Sequence, residues 1–87
     1  MTCEEQDAYL DAVTKLKEAG IYDDFSRAHS LLTFDFTRIH LTADFFPWHR
    51  WFVYVFEREL QKIVNSCDMF VPYWSWVRFL LLFMYCF

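Results

Sequence analysis

The sequence predicts an all-α fold of about three helices joined by irregular loops. Two observations predict it. Apolar residues recur at three- and four-residue spacing in three separate stretches, which places each set on one helix face. Helix start and stop signals punctuate those stretches. The one segment with alternating apolar character, "FDFTRIHLTADF" (34–45), has no strong strand partner and reads as an irregular loop.

The first helix is expected over about residues 3–19. Thr2 and Glu5 form a T-x-x-E capping box ahead of it, each side chain satisfying a backbone N–H that the first turn leaves free. Tyr9, Val13 and Leu16 share one face, and Gly20 is the stop because glycine takes positive φ without strain. The second helix opens at Tyr22-Asp23-Asp24, whose acids favour the positive end of the helix dipole. Phe25, His29 and Leu32 follow at helical spacing, so His29 lies on the apolar face. His40 falls in the loop. Pro47 suits the first turn of the third helix, and His49, Phe52, Val53, Phe56, Leu60 and Ile63 run down one stripe to about Asn65. "VPYWSW" (71–76) is expected to be extended, because Pro72 disfavours helix at Val71. Phe79–Phe87 is uninterruptedly apolar, yet far short of the roughly 20 residues a membrane span needs.

Composition narrows the function classes. At 87 residues the chain is one small domain or a piece of a larger one. It is 56% hydrophobic and 23% aromatic, more aromatic surface than so small a fold readily buries. Some faces are therefore expected to meet further protein; a compact aromatic core, or self-association through the exposed aromatic surface, is the alternative. Net charge is −4, with acids concentrated towards the N-terminus and no basic stripe to track nucleic acid. Cys3, Cys67 and Cys86 form no CxxC and no disulfide framework, although a Cys3–Cys67 bridge is conceivable. The N-terminus lacks the basic start and apolar run of a secretory signal, and nothing assigns a compartment.

The chain has three histidines, His29, His40 and His49, all in its middle third. A lone histidine on an apolar face is usually a satisfied core residue. Three converging from two helices and their connection fit a shared metal equally well, because each buried imidazole needs partners for two nitrogens. Neutral imidazoles suit copper and zinc, and three of them leave a coordination position open. The second ring N–H of each ligand needs a carbonyl or carboxylate, for which Asp35 and Asp44 are candidates by sequence proximity.

The spacing His40-x4-Phe45-Phe46-Pro47-Trp48-His49-Arg50-x2-Val53-x3-Glu57 resembles the first copper-site signature of tyrosinases and other type-3 copper proteins. "YDDFSRAH" (22–29) is similar to the family segment that supplies the first ligand, and "VPYWSW" resembles its Pro-Tyr-Trp-Asp-Trp box, with Ser75 in place of the aspartate. The resemblance covers roughly residues 6–76. It implies a partial copper-binding domain over 1–76, with 77–87 an apolar tail outside the pattern. It implies His29, His40 and His49 as ligands of one copper, with Arg50 and Glu57 as structural residues; their seven-residue spacing on one helix face suggests an ion pair between them, direct or through a neighbouring element. Family members hydroxylate monophenols and oxidise catechols with dioxygen, using two coppers together. Arg38 excludes the cysteine–histidine cross-link some members form at that position.

The family's second histidine set, including a His-x-x-x-His pair beyond the box, has no counterpart here. The expected architecture is thus a partial type-3 copper bundle, truncated before the second copper-binding helix pair. Such a fragment is expected to hold one copper at most and to be inactive alone. The alternatives are a non-enzymatic truncated or pseudogene product without metal, and a mononuclear metal-binding module. The apolar tail, standing where the family continues, fits a truncated gene model or a read-through intron.

Overall fold

A computed structural model gives the structure of residues 2–33 and 39–73. Three helices form in order: α1 (Cys3–Glu18), α2 (Ile21–Thr33) and α3 (Phe45–Val64), with no strand among the described residues. The expectations for Asp35, Arg38 and Ser75, for the end of the aromatic box (74–76) and for the tail (77–87) lie outside them.

The capping box forms. The Glu5 N–H donates to Thr2 Oγ1 at 3.1 Å and the Thr2 N–H donates to the Glu5 carboxylate at 2.6 Å. Lys15 and Lys17 sit in the last turn of α1, where the dipole favours cations. Gly20 takes φ 80°, which lets α2 start at once, one residue earlier than its tyrosine. Lys17 reaches across this corner to Asp23 and lies 5.7 Å from the centre of the Tyr22 ring. Both charged groups are exposed, so the pair fixes a corner more than it adds stability. Pro47 occupies the first turn of α3, where its missing N–H costs no helical bond. Asn65 ends that helix in the left-handed region at φ 53°, and the Ser66 N–H closes the turn onto the Gln61 carbonyl at 3.1 Å.

The core is where α1 crosses the C-terminal half of α3. Ala12, Leu16 and Leu60 are fully buried, with Tyr9, Val13, Ile21, Phe56, Ile63, Met69 and Val71 packed around them. Ala12 falls outside the expected Tyr9–Val13–Leu16 stripe, yet it lies between Tyr9 and Leu16 on the same face. Helix α2 has no fully buried residue. It meets α3 through edge-on rings: Tyr22 against Phe56 at 6.2 Å, and Phe25 against Phe52 and Phe56 at 5.4 and 5.2 Å. Those rings hold the helices apart, so an open groove of about 450 Å³ runs between them. Cys67 is a free, exposed thiol, so the Cys3–Cys67 bridge is not formed. No described helix is long and apolar enough to cross a membrane.

Candidate metal centre

Each histidine arrives by a different route. His29 comes from the groove face of α2, one turn beyond Phe25. His40 comes from the connection, just after Ile39, which is buried and anchors the loop. His49 comes from the first turns of α3. The three ring centres stand 5.2–5.6 Å apart. Each ring offers a nitrogen, and those nitrogens all lie within 4.8 Å of one another. All three residues are half-buried. Three imidazoles this close, with no acid among them, form a donor set suited to a borderline metal such as copper or zinc.

The hydrogen bonds around the rings are specific. His49 Nδ1 lies 2.7 Å from the Phe45 carbonyl one turn earlier. A carbonyl only accepts, so Nδ1 carries the proton and Nε2 is the free donor atom. This partner replaces the aspartates expected from proximity. Asp44 instead takes up the helix start, where its N–H donates to Thr42 Oγ1 at 3.3 Å and its carbonyl accepts from Trp48. Asp35 lies outside the described residues. His40 Nδ1 is buried with no hydrogen-bond partner among the described residues. A buried ring nitrogen left unpaired is costly, and here it stands beside two other imidazoles. Burial holds His40 below the ordinary imidazole range, and the neighbouring His49 and His29 add to the shift. The neutral ring, the form that ligates metal, is thereby favoured. Leu41, the next residue, takes φ 59° with its side chain 92% exposed, a strained turn that gains no packing.

Aromatic rings enclose the cluster. Phe45 lies 4.3 Å from His49 and 5.7 Å from His40. Trp48 stacks on Phe52 at 4.9 Å and lies 6.1 Å from His29. Phe45 and Trp48 belong to the motif by spacing alone; in the fold they are walls of the cluster. The groove between α2 and α3 opens directly off His29 and His49, with Phe25, Phe52, Phe56 and Val71 along it.

The expected Arg50–Glu57 ion pair is not formed among the described residues. Two helical turns separate the pair by roughly 10 Å of rise, and the Glu57 carboxylate is directed to the Val71 N–H instead, at 3.0 Å.

No solved structure matches the chain. Among curated proteins, the tyrosinase of Streptomyces galbus is 36% identical over 87% of this chain and 30% of its own length. The grixazone synthase of Streptomyces griseus is 36% identical over 87% of this chain and 27% of its own. The tyrosinase of the turtle Pelodiscus sinensis is 32% identical over 78% of this chain and 21% of its own. The chain thus spans less than a third of the length of these relatives. A family model described as the common central domain of tyrosinase matches residues 19–83, a segment that holds all three clustered histidines and both helices carrying the groove. On that match the chain belongs to the tyrosinase family.

Proposed function

We propose that the chain carries the first metal-binding half of a tyrosinase-type oxidase, in which His29, His40 and His49 hold one copper ion. The observation that carries this reading is the convergence of three ring nitrogens within 4.8 Å from two helices and their connection. The buried, unpaired His40 Nδ1 supports it, because a metal gives that crowded cluster of donors a common partner. The donor set fits copper: three neutral imidazoles, no carboxylate, no thiolate. Copper, when bound, supplies one-electron redox chemistry; the chain's residues supply the rest. The Phe45 carbonyl fixes the tautomer of His49. Phe45 and Trp48 pack against the imidazole rings, and Phe52 backs Trp48. The aromatic groove suits a flat phenol or catechol beside His29 and His49.

In the complete domain the reaction is oxidation of phenols or catechols by dioxygen. The three histidines of this chain provide for one copper, so by itself it neither hydroxylates a phenol nor oxidises a catechol. Anaerobic titration of the chain with copper(I), followed by metal quantitation, tests this. One equivalent binds tightly, and His49→Ala weakens binding by at least tenfold, as loss of one ligand of three requires. Two tightly held ions per chain, or binding unchanged in the variant, would overturn the reading. Oxygen uptake with 4-methylcatechol stays at the level of free copper.

A further inference from the structure

We infer that Glu57 is a positioning residue: its carboxylate fixes the segment after α3 so that Val71 walls the groove beside His29 and His49. The inference rests on the proposed function only in taking that groove as the seat of an aromatic substrate. After Asn65 the chain turns back along α3 with neither helix nor strand to satisfy its backbone. Two side chains on α3 take over that task. Glu57 accepts the Val71 N–H at 3.0 Å. Gln61, one turn on, donates its amide N–H to the Met69 carbonyl at 2.9 Å and to the Cys67 carbonyl at 3.5 Å. Arg58 donates to the Gln61 amide oxygen at 3.3 Å, which orients the amide with its nitrogen towards those carbonyls.

The chemistry is matched at each rung. A carboxylate can only accept, and it meets an N–H; an amide nitrogen can only donate, and it meets carbonyls. The Glu57 rung is charge-assisted and half-buried, so it is the stronger of the two. Its position along the chain also matters. Pro72 has no N–H, so Val71 offers the last backbone donor before the proline, and the proline holds Val71 extended. Pinned there, Met69 and Val71 pack on the Leu16–Leu60 core, while Val71 also lines the groove with Phe25, Phe52 and Phe56. Glu57 acts at one remove: it touches no ligand nitrogen and sets the wall a bound ring would lean on.

The test uses the full chain, with phenol as the probe and NMR shifts of the groove aromatics as the readout, alongside copper(I) affinity. Glu57→Leu removes the acceptor. It is expected to weaken phenol binding about tenfold, the worth of a charged hydrogen bond, while copper affinity changes less than twofold. Glu57→Gln keeps an oxygen for the Val71 N–H and is expected to hold phenol affinity within threefold of the parent. In the parent chain the Val71 amide exchanges slowly with deuterium, and Glu57→Leu speeds it. Equal phenol affinity in parent and Glu57→Leu, or fast Val71 exchange in the parent, would overturn the inference. Should Glu57→Leu not fold, Gln61→Ala releases the same segment while leaving the helix intact, and is expected to lower phenol affinity in the same direction; no change there would also overturn it. If the parent binds no copper, the proposed function fails, yet the exchange and phenol arms still decide the role of Glu57.

Discussion

At the scale of single residues, burial decides what polar groups do. His40 is kept neutral by burial and by two neighbouring imidazoles, while His49 is oriented by a backbone carbonyl. Tyr9 shows the same physics far from the site. It packs on the core, and burial, with Tyr22 nearby, raises its phenol above the usual value of 10.0. The unfolded chain therefore ionises this group first. The contribution of neutral Tyr9 to stability is fully present below about pH 10 and is lost as pH rises through the higher, folded value. Urea titrations at pH 8 and pH 11 should show a stability loss in the parent that Tyr9→Phe reduces. An identical loss in both proteins would mean that Tyr9 ionises as freely folded as unfolded. The partner of His49 illustrates a limit of sequence reading: Asp44 looked suitable because it is a carboxylate nearby, but every residue carries a carbonyl, and only the helical turn puts that of Phe45 in reach.

At the scale of elements, α3 performs two tasks along one stripe. Its N-terminal half presents His49 and Phe52 to α2, and its C-terminal half presents Leu60 and Ile63 to α1. The fold rests on the second contact, because α2 buries no side chain completely. Leu60→Ala is therefore expected to cost about 2–5 kcal/mol, the usual range for emptying a fully buried leucine site. Ile63→Ala, at a half-buried position on the same stripe, should cost less. Chemical denaturation monitored by circular dichroism ranks the two, and equal costs would show that depth of burial in the α1–α3 contact does not set the loss. Helix existence and ends were legible in the sequence because caps and stops act locally: Thr2 with Glu5, Gly20, Pro47 and Asn65 all stand where the chain turns. Ala12 was not legible. A small residue joins a core only when a neighbouring helix comes close, and the periodicity of α1 alone does not say where α3 crosses.

At the scale of the whole molecule, the core is small and the uncovered apolar surface is large. Phe46 is 80% exposed, Trp51 59% and Tyr54 58%, all on α3. A fold whose α1–α3 core has three fully buried residues among those described is stabilised strongly by anything that ties its parts together. Copper held by His29, His40 and His49 would join α2, the connection and α3. Free copper(I) at a hundred times its dissociation constant is expected to add about 2.7 kcal/mol to the unfolding free energy. Melting under anaerobic conditions reads this as a rise in Tm that His29→Ala abolishes. A Tm indifferent to copper in the parent chain would separate the histidine cluster from the stability of the fold.

The sequence by itself determined the helices, their ends, the three histidines and the family to which the chain belongs, because caps, periodicity and motif spacing are properties of neighbouring residues. It did not determine what holds each group in place. The Phe45 carbonyl on His49, the burial of Ala12 and the Glu57 bond to Val71 join groups that share no sequence signature. Tertiary structure decided them, since a hydrogen bond or a contact depends on distance in space, and α3 sets those distances by crossing α1 at one end and facing α2 at the other.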